Sequence, residues 1–492
     1  MNNDIKTALK KFYGYDKFRP GQEKIINAIL SGRDAIAVMP TGAGKSLCYQ
    51  IPALMMEGIA IVVSPLISLM QDQVRNLKEM GIRGAYLNSS LTPNQINLAT
   101  ENAKKGMYKI IYAAPERLNT NHFLSFAMNS DISMIAIDEA HCISQWGQDF
   151  RPAYLKISEF IAKLPKRPPV AAFTATATAQ VKNDILSKSG LVNPVSYTGG
   201  FDRPNLYFAA EEPSDSITYI RNYLMRHRDE SGIIYCLTRK ETERTADVLS
   251  SLGFSISAYH AGMSDIDRRR VQEDFIYDRV KVIAATNAFG MGIDKPDVRF
   301  VIHKNMPARI EDYYQQAGRA GRDGDKAECI LFYSSSDVRL NYYMIEQVPE
   351  NDPLTPEQRR EYIKAEKACL QQMIFYATSH HTCLRKRLLG YFGETPADDC
   401  NNCSVCRRKN TVYTYTEKAQ DYDGVIYSRL KEHCQKIALF SGVPFYTIAT
   451  EVMLRELAAV KPKTVAELRT INGFGEEKIR RYGKDFIKII NQ

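Results

Sequence analysis

The stretch Val38-Met39-Pro40-Thr41-Gly42-Ala43-Gly44-Lys45-Ser46 constrains the fold of this chain more than any other. It grows out of Ala35-Ile36-Ala37-Val38, a short apolar run suited to a strand buried on both faces. A helix-forming segment, Leu47 to Met56, follows. Between the two, glycines let backbone N–H groups close on phosphate oxygens, and the new helix turns its positive end toward them. In such a cradle Thr41, Gly42 and Gly44 shape the turn, Lys45 reaches the β/γ-phosphates and the Ser46 hydroxyl ligates Mg²⁺. Met39 replaces the first glycine of the usual G-x-x-x-x-G-K-[ST] pattern.

What the phosphates serve must come from the rest of the chain. At 492 residues it has room for two to four domains, on a prior of ~100–200 residues each. No apolar run approaches the ~18 residues of a membrane span. The N-terminus has no signal-peptide core. A cytosolic protein is expected, nucleoid-associated in a bacterium. The net charge is +9, and residues 354–492 hold most of it, with 23 Lys+Arg against 16 Asp+Glu. A basic excess confined to one part suits a polyanionic partner, although a solvated basic surface reads the same way.

Further apolar runs at Ile59–Val63, Ile110–Ala113, Ile132–Ile137 and Val170–Phe173 alternate with helical segments. That alternation predicts an open parallel sheet with its ligands at the carboxyl ends of the strands. One run ends in Asp138-Glu139-Ala140-His141. Beside a phosphate cradle, Asp138 suits a second Mg²⁺ contact and Glu139 suits taking a proton from the attacking water. Upstream, Tyr15, Arg19 and Gln22 could grip a purine or simply form a turn leading into a helix. Gly232–Cys236, Ser255–His260, Val280–Ala285 and Phe300–His303 predict a second parallel sheet, after a polar hinge at Glu211–Ser216. Arg319 and Arg322, three apart, are expected on one helical face.

Ten cysteines in a cytosolic chain do not argue for disulfides. Six are scattered and expected to be small buried apolar residues. The other four, Cys383, Cys400, Cys403 and Cys406, match the thiolate number of tetrahedral Zn²⁺. An iron–sulfur cluster and uncoordinated thiols are the alternatives at this spacing. Arg385, Lys386, Arg387, Arg407, Arg408 and Lys409 surround the site and would suit phosphates.

Several motifs together resemble the RecQ family of superfamily 2 DNA helicases. They are Phe12 to Gln22, the P-T-G-A-G-K-S loop, Ser64 to Gln73, Asp138 to Cys142, Thr174-Ala175-Thr176, Gly200 to Leu206 and Ala285 to Asp294. The resemblance spans almost the whole chain, and Tyr13 stands where the family has a glycine. It implies two RecA-like parallel-sheet lobes, a helical zinc module and a small all-α C-terminal domain. The expected boundaries are 1–205, 206–345, 346–410, a linker at 411–421, and 422–492. It implies ATP-driven 3′-to-5′ movement on single-stranded DNA and separation of tailed duplexes in recombination and repair, with single-strand-binding or repair proteins as possible partners. Tyr15 and Arg19 then flank adenine, Gln22 reads its edge, and Arg322 or Arg319 is the arginine finger. The loop holding Trp146, Phe150 and Arg151 contacts unpaired bases. The four cysteines hold zinc. Residues Ile471 to Glu476 resemble a helix-hairpin-helix turn within a helicase-and-RNase-D C-terminal domain, for DNA or for protein docking. The family's winged helix has no counterpart between Cys406 and Tyr422. An RNA helicase, a translocase that leaves duplexes intact, or a nucleotide-switched scaffold are the rival functions.

Overall fold

Seven short runs build one all-parallel sheet in the first lobe of the computed structural model. They are β1 (Ala35–Val38), β2 (Ile59–Val63), β3 (Gly84–Leu87), β4 (Ile110–Ala113), β5 (Ile132–Ile137), β6 (Val170–Thr174) and β7 (Val195–Thr198), in the order β3-β4-β2-β5-β6-β1-β7. Every residue of β1, β2, β4 and β6 is buried, as a sheet covered on both faces requires. One apolar cluster covers each face: Ile61, Ile111, Ile135 and Phe160 on one side, Tyr49, Val62, Tyr112 and Phe173 on the other. The structure describes residues 2–144, 150–289, 295–347, 355–396, 398–409, 422–441 and 443–491. Trp146, Gly290 to Asp294 and the linker expected at 411–421 fall outside them.

The strand order decides the chemistry. β5, β6 and β1 are neighbours, so Asp138-Glu139, Thr174-Ala175-Thr176 and the glycine turn leave the sheet side by side. Residues 424–490 belong to the same compact unit as this lobe. They form five helices, the longest Gly424–Ser441 and Glu476–Ile490, around Leu430, Leu454, Leu457, Phe474 and Phe486.

The second lobe repeats the plan with β8 (Leu206–Glu211), β9 (Ser231–Tyr235), β10 (Ile256–Tyr259), β11 (Val282–Ala285), β12 (Val298–His303) and β13 (Ala327–Phe332), in the order β10-β11-β9-β12-β13-β8. All its pairings are parallel. Helix Pro356–Ala377 leads to helix Leu384–Tyr391 and the cysteine cluster, all in this second unit. Five of the six scattered cysteines are buried, and Cys369 is partly so.

Candidate nucleotide site and zinc centre

Gly42 and Gly44 have φ of 84° and 79°, backbone that glycine adopts without strain. Gly44 then caps helix Lys45–Met55, the helix read from the sequence as Leu47 to Met56. The buried Gln22 clasps this turn, its amide donating to the carbonyls of Ala43 (3.0 Å) and Gly44 (3.2 Å). Its own carbonyl accepts from Arg19 N–H at 2.9 Å, and the Arg19 guanidinium donates to Gly42 O. Lys45 Nζ lies 3.2 Å from Met39 O, at the mouth of β1. The structure therefore brings Arg19, Gln22, Gly42, Gly44 and Lys45 together. Ser46 follows in the first turn of the helix, while Tyr15 is largely exposed.

Across from the turn, burial and the adjacent Glu139 carboxylate push Asp138 up to about 7, against the pull of Lys45. A buried carboxylate in that state gains from a cation placed beside it. Glu139 sits in left-handed backbone, φ 47° and ψ 46°. Its N–H donates to Asp138 Oδ1 (3.0 Å), and its Oε2 lies 3.4 Å from His141 Nδ1 with no hydrogen bond of its own. His141 Nδ1 is also 3.0 Å from Thr174 Oγ1, which donates to Thr176 O. The buried carboxyl of Asp138, the orphaned oxygen of Glu139 and the ammonium of Lys45 fit a Mg²⁺–nucleoside triphosphate with its attacking water.

Tyr154, four residues beyond Phe150, is fully buried and donates to Asp138 O at 3.0 Å. It holds the carboxylate segment and is not available for stacking. Phe150 is half-buried. Arg151 donates to Pro65 O at 2.7 Å, joining this loop to the Ser64–Leu66 segment. Sequence reasoning missed a buried amide–phenol chain: Tyr13 donates to Gln50, and Gln50 to Gln73 and Tyr112. Lone glutamines inside helices gave no signal of it.

In the second lobe, helix Ile310–Ala317 ends at Gly318, so Arg319 and Arg322 stand in the turn beyond it and not on a helical face. Arg203 donates to the carbonyls of Gly318, Ala320 and Gly321, and Asn205 to those of Gly321 and Asp325. These two residues of the Gly200–Leu206 motif fix the turn, a role the motif alone did not disclose. Arg319 is buried against Tyr235, whereas Arg322 is half-buried.

The ligand sulfurs of Cys383, Cys400, Cys403 and Cys406 all lie within 4.8 Å of one another. Tetrahedral Zn–S bonds of ~2.3 Å would set them ~3.8 Å apart, and Cys383 and Cys403 are already at 4.0 Å. Backbone N–H groups of Lys386, Cys400, Asn402 and Cys406 point at three of the sulfurs at 3.3–3.5 Å. Hydrogen bonds from Cys383 and Cys400 hold the Cys403 thiol well below its usual range. The donor set fits zinc. Several of the surrounding arginines, expected to face phosphate, are committed within the fold. Arg385 is buried on Asp202, Arg203 O and Leu206 O, Arg408 pairs with Glu211, and Arg407 stacks over Tyr207.

Family models place a DEAD/DEAH box helicase at residues 19–184 and a helicase conserved C-terminal domain at 215–324. A RecQ zinc-binding model matches 335–407, and an HRDC domain matches 423–490. The chain is 45% identical over 421 residues to the ATP-dependent DNA helicase RecQ of Haemophilus influenzae, covering 86% of this chain and 66% of that one. It is 40% identical to the RecQ of Bacillus subtilis over 477 residues, 97% of this chain and 76% of the relative. The fold also resembles S. cerevisiae Dbp5 bound to RNA and ADP BeF3, with a TM-score of 0.55 and 22% identity over 75% of this chain and 96% of the other. That likeness concerns the fold alone. The matched stretches take in the phosphate turn, the carboxylate pair, the arginine turn and the four-cysteine centre, and the chain belongs to the RecQ family of ATP-dependent DNA helicases.

Proposed function

We propose that the chain uses ATP hydrolysis to move 3′ to 5′ along single-stranded DNA and to separate tailed duplexes in recombination and repair. The observation that carries this reading is the convergence of Lys45, Asp138 and Glu139 at adjoining strand ends, with Glu139 linked through His141 to Thr174. Tyr15 and Arg19 flank adenine and Gln22 reads its edge, while Thr41, Gly42, Gly44 and Ser46 line the phosphates. Ser46 and Asp138 hold Mg²⁺, which neutralises charge on the phosphates. Glu139 accepts the proton of the attacking water. Arg322, less buried than Arg319, is the finger that stabilises transferring phosphoryl charge, with Arg319 second. Trp146, Phe150 and Arg151 contact single-stranded DNA. The four cysteines bind one Zn²⁺. The proposed divisions are 1–205, 206–345, 346–410, a linker at 411–421 and 422–492, and the chain works in the cytoplasm, at the nucleoid in a bacterium, with no membrane as partner. Among the described residues no helix is long and apolar enough to cross one.

The test is ATP turnover with and without single-stranded DNA or RNA, and unwinding of a 3′-tailed duplex. DNA-selective stimulation and ATP-dependent strand separation are expected. Glu139→Gln should bind ATP normally and lose turnover by ~10²–10⁴-fold. Parent-level hydrolysis by that variant would remove Glu139 from its role, and RNA-selective stimulation would favour an RNA helicase.

A further inference from the structure

The hairpin turn Asn472-Gly473-Phe474-Gly475 of the C-terminal helical domain lies against the first lobe. It meets the short helix Leu9–Tyr13 and its cap Gly14, immediately ahead of Tyr15. Gly473 N–H donates to Gly14 O at 3.2 Å. Gly14 has φ 74°, and a methyl group there would stand 2.5 Å from the backbone nitrogens of Phe474 and Gly475. Gly475, at φ −72°, could be any residue on conformational grounds. A Cβ there would nevertheless come 2.8 Å from Phe12 O and 3.1 Å from Lys11 O. Two glycines from opposite ends of the chain therefore serve one close backbone approach. The Phe474 ring turns inward, edge-on to Phe486 at 5.5 Å, so the domain offers bare backbone to the lobe. A second contact flanks the first: Arg481, held by Glu477, pairs with Glu79 at 2.7 Å, at the end of helix Ile67–Glu79.

We propose that this turn is a docking element for the first lobe, and that docking and phosphate binding are alternative uses of the same turn. The occupant of the Gly14 face is residues 473–481 of this chain. In the helix-hairpin-helix turn that Ile471 to Glu476 resemble, the glycines expose backbone N–H groups to phosphate; here the Gly473 N–H is spent on the Gly14 carbonyl while the domain is docked. A polynucleotide that captures the turn frees Leu9–Gly14, the segment leading directly into Tyr15, Arg19 and Gln22. Release is thereby linked to the grip on adenine; that link rests on the proposed nucleotide site, whereas the docking does not.

Hydrogen exchange read by mass spectrometry on the full chain tests this without using ATP. Relative to the parent, Gly475→Ala and Glu79→Arg should each speed exchange over residues 9–15 by roughly five- to tenfold, the worth of one lost hydrogen bond or ion pair. The pair Glu79→Arg/Arg481→Glu should restore protection. Saturating oligothymidine should raise parent exchange over 9–15 to the level of the single variants. Glu79→Arg lies in the lobe and leaves the helical domain untouched, so the test survives if Gly475→Ala fails to fold. Unchanged exchange in Glu79→Arg, or protection that persists under oligothymidine, overturns the proposal. Loss of ATP turnover alone would bear only on the nucleotide site.

Discussion

Glu139 occupies a backbone conformation that costs a non-glycine residue ~1–2 kcal/mol. Strain of this kind persists where the surroundings over-determine it, and here Asp138 Oδ1 and His141 flank the residue. Gly44 shows the converse. An alanine there meets both a positive φ of 79° and the Gln22 amide at 2.5 Å. Gly44→Ala should therefore weaken binding of a fluorescent ATP analogue by at least ~tenfold, and adding Gln22→Ala should recover little, because the φ remains. His303 gives a pH signature in the second lobe. Burial holds its imidazole down to about 3, where it contacts Gln316 Oε1 at 2.9 Å. The unfolded chain takes that proton near pH ~6.5. Between those values the unfolded state binds more protons, so stability is present above ~6.5 and is lost as pH falls, at up to ~1.4 kcal/mol per unit. Melting of His303→Gln between pH 7 and 4 should show a flatter decline than the parent. At this scale the nucleotide site was legible because its chemistry needs fixed residue types at fixed spacing. The setting of Arg319 and Arg322 was not, since it depends on Arg203 and Asn205 more than a hundred positions away.

Among elements, most strands read correctly are continuous apolar runs buried on both faces; the half-exposed edge strand β10 was read as well, while β13 escaped although it is mostly buried, Glu328 interrupting its apolar run. β3 and β7 escaped because they are half-exposed edge strands, β3 opening on a glycine and β7 reading Val-Ser-Tyr-Thr. β8 escaped because its start lies within a motif and its end within the expected hinge. That strand is an edge as well, and the cysteine centre covers it. Cys403 bridges to Phe208, Asn402 donates to Pro204 O and Leu206 O, and Arg385 reaches Leu206 O. Covering an edge protects it from stray pairing. Metal analysis should find one zinc per chain without iron or sulfide. Cys400→Ser should lower the melting temperature by at least ~5 °C and change the KM for ATP by less than about twofold, within the reach of a distant substitution. A larger change in KM than in melting would show that the centre serves the nucleotide site directly.

For the whole molecule, the stretch between Cys406 and Tyr422 is too short for a winged helix, whose elements typically need ~5–12 residues each. Under the proposed function, opening the first base pair would fall to the two lobes, the Phe150–Arg151 loop and the zinc region. Single-stranded DNA should stimulate ATP hydrolysis fully, while unwinding should require a 3′ tail and fade as the duplex lengthens. Efficient opening of blunt or long duplexes in a gel assay would show that another segment supplies the wedge. The order of domains could be read from the motifs, but the seating of the hairpin turn on Gly14 could not, because a glycine required by a distant surface looks like any turn glycine. The placement of β8 also bears on how the chain is made. It is the first strand of the second lobe to leave the ribosome, yet its sole partner in the sheet is β13, the last, and the cysteines that cover it come later still, at 383–406. Throughout the synthesis of residues 212–326 this strand has no mate, and non-local pairing of this kind is slow and prone to aggregation. The cover that the cysteine centre gives the outer edge of β8 can form only once residue 406 has been made, after β13 has already supplied the strand with its mate.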